Sequence, residues 1–141
     1  MITINDFHKL VGQTIMACQC IELDVKLMYA GMMQGNFERN LAMVRNKALG
    51  PVLVELEILD NSDGHPYFSK NDYELLFEIK DIRNYWVHKG YSSFIYLSGD
   101  KWQEGLEAQY NKIYAVYKKL SLMANEAQNI RLDVMKKFGR M

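Results

Sequence analysis

The chain has 141 residues, in which 17 Lys and Arg balance 17 Asp and Glu, with 49% hydrophobic and 24% charged residues. That length suits one domain, residues 1–141, built on a single core. The composition excludes a disordered or collagen-like chain, and the lack of a basic excess argues against a protein held on nucleic acid by bulk charge alone. Only two prolines occur, so the many Leu, Met, Lys and Glu residues point to helices. Met1 to Asp6 has neither a basic start nor an unbroken apolar run, and no window nears the roughly 18 apolar residues of a membrane span. A cytoplasmic chain with no membrane partner is the expectation.

From Phe7 the apolar residues fall at Leu10, Val11, Ile15, Cys18, Ile21, Val25, Met28 and Met32, a three-and-four spacing that predicts a first amphipathic helix. Cys18 and Cys20 are two apart on it and point in different directions, so they form no disulfide, and no second pair completes a metal site. Reduced thiols packing on or beside the helix are expected, with no cofactor or metal. Gly31 and Gly35 weaken the helix end. Asn36 then caps a second helix, Phe37 to Ala48, with Leu41, Val44 and Ala48 inward. Gly50-Pro51 breaks the chain, and Pro51 suits the first position of a third helix running to Leu59.

The segment from Asp60 to Phe68 concentrates turn residues and forms the main loop. Ser69 with Asp72 resembles a capping box for a fourth helix, whose Leu75, Leu76, Ile79, Ile82 and Trp86 face inward and whose stop is Gly90. Tyr91 to Leu97 has strand-like composition without a partner strand, which makes it a turn or a further helical segment. Asp100 or Ser98 caps the last helix, in which Trp102, Leu106, Ile113, Tyr117, Leu120, Ala124, Ala127, Val134 and Phe138 trace one seam. Running from Lys101 to Lys137, it is about 55 Å long. That length outruns a small bundle, so its distal part is expected to fray or to pack on a second subunit through Ile130, Val134 and Phe138. The fold class is all-α: an up-down bundle of four to five helices with a long C-terminal helix and antiparallel neighbours.

One stretch does not read as plain bundle sequence: Asp81-Ile-Arg83-Asn84-Tyr-Trp-Val-His88-Lys89-Gly90-Tyr91. Asn84 and His88 form an i, i+4 pair, and the long Arg83 side chain, about 100° from Asn84 on the helical wheel, is able to fold towards them. These residue types suit metal-free phosphodiester cleavage, which needs a base for the 2′-hydroxyl, an acid for the departing 5′-oxygen and a cation for charge on phosphorus. His88 serves as base or acid, Arg83 as bidentate cation, and Asn84 orients the imidazole or donates to a phosphate oxygen. If acid and base are both imidazoles, a two-fold dimer supplies the second.

Arg83-Asn84-Tyr85-Trp86-Val87-His88 resembles the signature of the HEPN superfamily: Arg, a polar residue, then His near the end of a core helix in a small all-α domain. The resemblance covers the motif and, more loosely, the order of helices. It implies an up-down bundle, often dimeric, that in many members is a metal-independent ribonuclease of toxin–antitoxin, antiphage or RNA-processing systems. Arg83, Asn84 and His88 inherit the catalytic roles, RNA is the implied substrate, and a homodimer and an antitoxin protein are the implied partners. A second implied reading is a non-catalytic HEPN-like scaffold that binds nucleotide or protein. One toxin branch carries a Tyr two residues after the His that its antitoxin modifies with nucleotide; Gly90 stands there in this chain, with Tyr91 one place later.

Around this motif, Glu22 is a candidate partner of Arg83 or His88, whereas Asp24 is expected in solvent. Lys89 and Tyr91 are candidate substrate contacts, with packing the plainer role for Tyr91. His8 and His65 read as surface residues, and Tyr110, Tyr114 and Tyr117 as a row closing the bundle. The overall neutrality is a cancellation: residues 51–81 carry net −6 and residues 101–141 net +4. Lys89 and the basic last helix therefore still offer a local field that guides a phosphate.

Overall fold

The computed structural model describes all 141 residues as five helices, α1 (Ile4–Met32), α2 (Phe37–Arg45), α3 (Leu49–Asp60), α4 (Lys70–His88) and α5 (Asp100–Lys137), with no strand. No helix is long and apolar enough to cross a membrane. Helix α1 begins three residues before Phe7 because Thr3 and Asp6 close a reciprocal cap. The Thr3 hydroxyl accepts from the Asp6 amide at 3.1 Å, and the Asp6 carboxylate accepts from the Thr3 amide at 2.9 Å. The expected caps Asn36 and Ser69 are present, the latter with Asp72 as its reciprocal partner. Helix α2 is shorter than its apolar pattern suggests. It stops at Arg45, leaving Ala48 exposed as the residue that caps α3. Pro51 consequently lies in the first turn of α3 rather than at its first position, still where its missing N–H has no intrahelical partner to lose.

Two buried clusters organise the bundle. The larger joins α1, α2, α3, the first half of α4 and the second half of α5 through residues such as Ile21, Met28, Leu53, Leu56, Leu76, Ile79 and Leu120. The smaller joins Phe7, Leu10 and Val11 of α1 to Trp86 of α4, Phe94 of the following turns, and Leu106 and Ile113 of α5. Residues 91–97 are helical turns, pinned because the buried Phe94 packs edge-on against both Phe7 and Trp102. This smaller cluster fixes the C-terminal end of α4, which carries the Arg83–His88 stretch.

Helix α4 runs antiparallel to both α1 and α5, whereas α1 and α5 share a direction. Gln103 near the start of α5 donates to Ile2, and Arg140 just beyond its end donates to Gly31, Met33 and Gly35. Antiparallel pairing therefore does not extend to this longest contact of the fold. The same alignment settles the distal part of α5. Val134 and Met135 are buried beside Gly31 within the same chain, so Val134 packs on its own α1 and not on a second subunit, while Phe138 stays partly exposed. The N-cap of α5 is Gly99, at φ 59°, and not Asp100 or Ser98. A left-handed backbone there turns the chain from the aromatic cluster into the helix, a conformation open to glycine. Asp24 also departs from expectation: it is buried, and its carboxylate accepts from Arg131 at 3.0 Å.

Candidate functional site

Helix α4 ends at His88 because the chain must turn beneath Trp86. The Lys89 amide donates to the Tyr85 carbonyl at 2.7 Å, and a Cβ on Gly90 would stand 2.8 Å from the Trp86 carbonyl oxygen. A side chain at position 90 is excluded by that close approach, so the stop expected at Gly90 is steric. The motif is thereby presented on a helix end clamped between α1 and α5.

Asn84, His88 and Lys89 are exposed and, with Asp81 and Tyr85, line one shallow polar groove of about 310 Å³. The structure thus brings together Asn84, His88 and Lys89. His88 makes no hydrogen bond within the chain, so its imidazole is open to a ligand from solvent. Arg83 does not join them. Its guanidinium points across to α1, where Nη1 donates to Glu22 Oε2 at 2.8 Å. The same Glu22 carboxylate holds Lys26 at 3.2 Å through its other oxygen, and Lys26 also donates to the Arg45 carbonyl. Arg83 turns this way because α1 offers it a half-buried carboxylate, whereas the His88 groove offers only the exposed Asp81.

Glu22 is therefore the partner of Arg83 and does not reach His88. Tyr91 is also outside the groove: its ring packs edge-on against Phe7 with centroids 5.0 Å apart, and its hydroxyl lies 2.7 Å from His8 Nδ1. Burial pushes the Tyr91 phenol above its ordinary value. His8, expected as a plain surface residue, thus helps to seat the turns after α4. His65 is exposed, as expected. Of the tyrosine row, Tyr110 and Tyr117 pack on the smaller cluster, while Tyr114 stacks on Tyr110 and faces solvent. The thiols are free, with Cys18 buried and pushed up to about 11 by desolvation and Cys20 exposed.

One further residue of the motif, Tyr85, has a polar role. The Tyr85 hydroxyl accepts from Lys112 Nζ at 2.9 Å and from Gln109 Nε2 at 3.3 Å. The same Gln109 amide donates to the Gly90 carbonyl at 2.9 Å. Nothing local in the sequence signalled this, since both donors come from α5, more than twenty residues downstream. Tyr85 forms the wall between the His88 groove and a second groove with an apolar floor of Ile82, Trp86 and Val116, rimmed by Glu78, Asp81 and Lys112. No three His, Cys, Asp or Glu side chains converge in a way that would hold a metal ion. No family model, curated protein or solved structure matches the chain.

Proposed function

We propose that this chain is a metal-independent endoribonuclease of HEPN type, cleaving RNA by 2′-hydroxyl attack at a composite site of a homodimer. In the cell it acts as a toxin or as an antiphage or stress factor, with an antitoxin protein as partner. The observation that carries the reading is the groove at the end of α4, where an exposed imidazole without an internal partner stands beside an amide and an ammonium. An imidazole exchanges protons near neutral pH, Asn84 donates to a phosphate oxygen, and Lys89 attracts the phosphate. Arg83 lies off this groove in its own chain. In the dimer its guanidinium serves the phosphate held by the partner's His88, which is how the site becomes composite.

The test is cleavage of RNA in chelator-containing buffer. Wild type is expected to leave 2′,3′-cyclic phosphate ends, and His88→Ala is expected to abolish cleavage with its far-UV helical signal unchanged, because an exposed side chain contributes little to the fold. Full activity in His88→Ala overturns the reading. The Arg83–Glu22 pair favours one alternative, a HEPN-like scaffold that binds nucleotide or protein, in which Arg83 ties α4 to α1 and nothing is cut. A well-folded wild type that binds but never cleaves RNA establishes that alternative instead.

A further inference from the structure

We infer that Tyr85 is a second proton-transferring residue of this site, donating the proton that the departing 5′-oxygen takes up while His88 of the same chain removes the 2′-hydroxyl proton. The inference rests on the ribonuclease reading and changes only where the acid comes from.

A phenol has one O–H to give and lone pairs to accept with, whereas an ammonium only donates. Lys112 Nζ at 2.9 Å and Gln109 Nε2 at 3.3 Å both approach the Tyr85 oxygen as donors. The orientation of the Gln109 amide is not free, because its nitrogen is also held at 2.9 Å by the Gly90 carbonyl, which only accepts. Both contacts therefore occupy lone pairs, and the Tyr85 proton has to point elsewhere. Donation away from α5 leaves it the space of the grooves that Tyr85 separates, one of which holds His88 and Asn84. Tyr85 and His88 are three residues apart on α4, the spacing at which side chains are neighbours on a helix.

The electrostatics suit an acid. The hydrogen bonds from Lys112 and then Gln109 hold the phenol below its ordinary value against the opposing effect of burial, and the positive charges of Lys112 and Lys89 add to this. Lys112 also lies over the ring, 4.1 Å from its centroid. The phenolate left after proton transfer is thus met by a cation already in place and by an amide, with nothing to reorganise. The groups facing Tyr85 are Lys112 and Gln109 from α5, Lys89 and His88 from the end of α4, and Asp81 and Glu78 on the rims of the two grooves.

The step balances. The 2′-oxygen bonds to phosphorus as its proton passes to His88, the bond from phosphorus to the 5′-oxygen breaks, and that oxygen takes the Tyr85 proton. The products are a 2′,3′-cyclic phosphate and a 5′-hydroxyl, and solvent returns the proton from imidazolium to phenolate.

The experiment compares two RNA substrates, one with an ordinary 5′-oxygen at the cleaved bond and one with sulfur in its place, since a thiolate leaves without protonation. Tyr85→Phe is expected to slow cleavage of the oxygen substrate by about 10²- to 10⁴-fold and to cut the sulfur substrate at near the wild-type rate. His88→Ala stays inactive on both. Lys112→Met is expected to slow cleavage of the oxygen substrate more than that of the sulfur substrate, to move the alkaline limb of the pH profile upward, and to move the Tyr85 phenolate absorbance, read as wild type minus Tyr85→Phe, in the same direction. Tyr85→Phe that cuts the oxygen substrate at full rate, or that the sulfur substrate fails to rescue, overturns the role of Tyr85 while leaving the ribonuclease standing. A folded wild type that cuts neither substrate overturns both.

Discussion

Arg83 and Glu22 lie 61 residues apart in sequence, yet Arg83 Nη1 meets Glu22 Oε2 at 2.8 Å, with side chains 30% and 20% exposed. The pair decides which way the motif arginine faces. It divides the Arg83–His88 stretch into two surfaces of one helix, a cation held against α1 and an open imidazole over the polar groove. Whether those two groups work together depends on whether a second copy brings them back together.

That question has a direct test in mixed dimers. Arg83→Ala and His88→Ala are each expected to be inactive. If the site is composite, a mixed dimer joins the His88 of one chain to the Arg83 of the other in one of its two sites. Equal mixing is then expected to restore about a quarter of wild-type cleavage, since half the dimers are mixed and each has one intact site. Mixtures as inactive as their components would show that Arg83 and His88 act within one chain or not at all.

Glu22 holds two cations, Arg83 and Lys26, and its removal leaves the partly buried Arg83 and the buried Lys26 with no counter-charge. Glu22→Gln is expected to lower unfolding free energy by about 1–2 kcal/mol, at the modest end because the pair is partly solvated. In a double-mutant cycle with Arg83→Gln, a coupling of about 0.5–1 kcal/mol from urea unfolding identifies the pair as stabilising. Zero coupling would mean that Lys26 is the partner that matters to Glu22.

Gly105 sits on α5 where the helix meets the turns that follow α4. A Cβ there would come within 2.4 Å of the Phe94 Cβ, a contact at the base of the side chain that no rotamer change relieves. Phe94 is fully buried between Phe7 and Trp102 and has no room to retreat. Gly105→Ala is therefore expected to destabilise by about 1–3 kcal/mol, despite the better helix propensity of alanine. It should also disturb the Tyr91–His8 contact, which NMR shifts of the Tyr91 ring would report. An unchanged or raised Tm would refute the close packing of α5 on this turn.

The helices and their polar starts were legible in the sequence because their causes are local. The Asn36 and Ser69 caps and the apolar stripe of α1 depend on residues within one or two turns of each other. What was not legible depends on contacts across the chain. The distal part of α5 is seated by Arg140, which donates to the carbonyls of Gly31, Met33 and Gly35, while Asn40 donates to Ala30, Met33 and Gln34. Together they satisfy the exposed end of α1, and neither side chain carries a local sign of that role. Asp24 is buried because Arg131 arrives from 107 residues away. The candidate site was legible as residue types on one helix end, Asn84 and His88 above all. The direction of Arg83 and the donors on Tyr85 were set by α1 and α5.

The start of α4 and the second half of α5 supply a pH dependence with a definite sign. Asp72 belongs to the cap of α4, where its carboxylate accepts from the Ser69 amide at 2.9 Å. Glu126 lies against it, and its carboxyl is pushed up from an ordinary 4.5 to about 7, first by burial and then by the hydrogen bond to Asp72 and the charge that Asp72 carries. The folded chain thus keeps a proton on Glu126 that the unfolded chain has already lost. The stabilisation from that proton is complete below about 4.5 and is lost as pH rises through about 7. Glu126→Gln mimics the protonated form at every pH. Wild type is expected to match this variant near pH 4.5 and to fall below it by about 1–3 °C in Tm by pH 8, a small shift because the pair is partly solvated. Thermal unfolding of both proteins across this range checks the sign. A Tm difference that is constant with pH, or one in which wild type gains on the variant as pH rises, would mean that Glu126 and Asp72 do not share a proton in the folded chain.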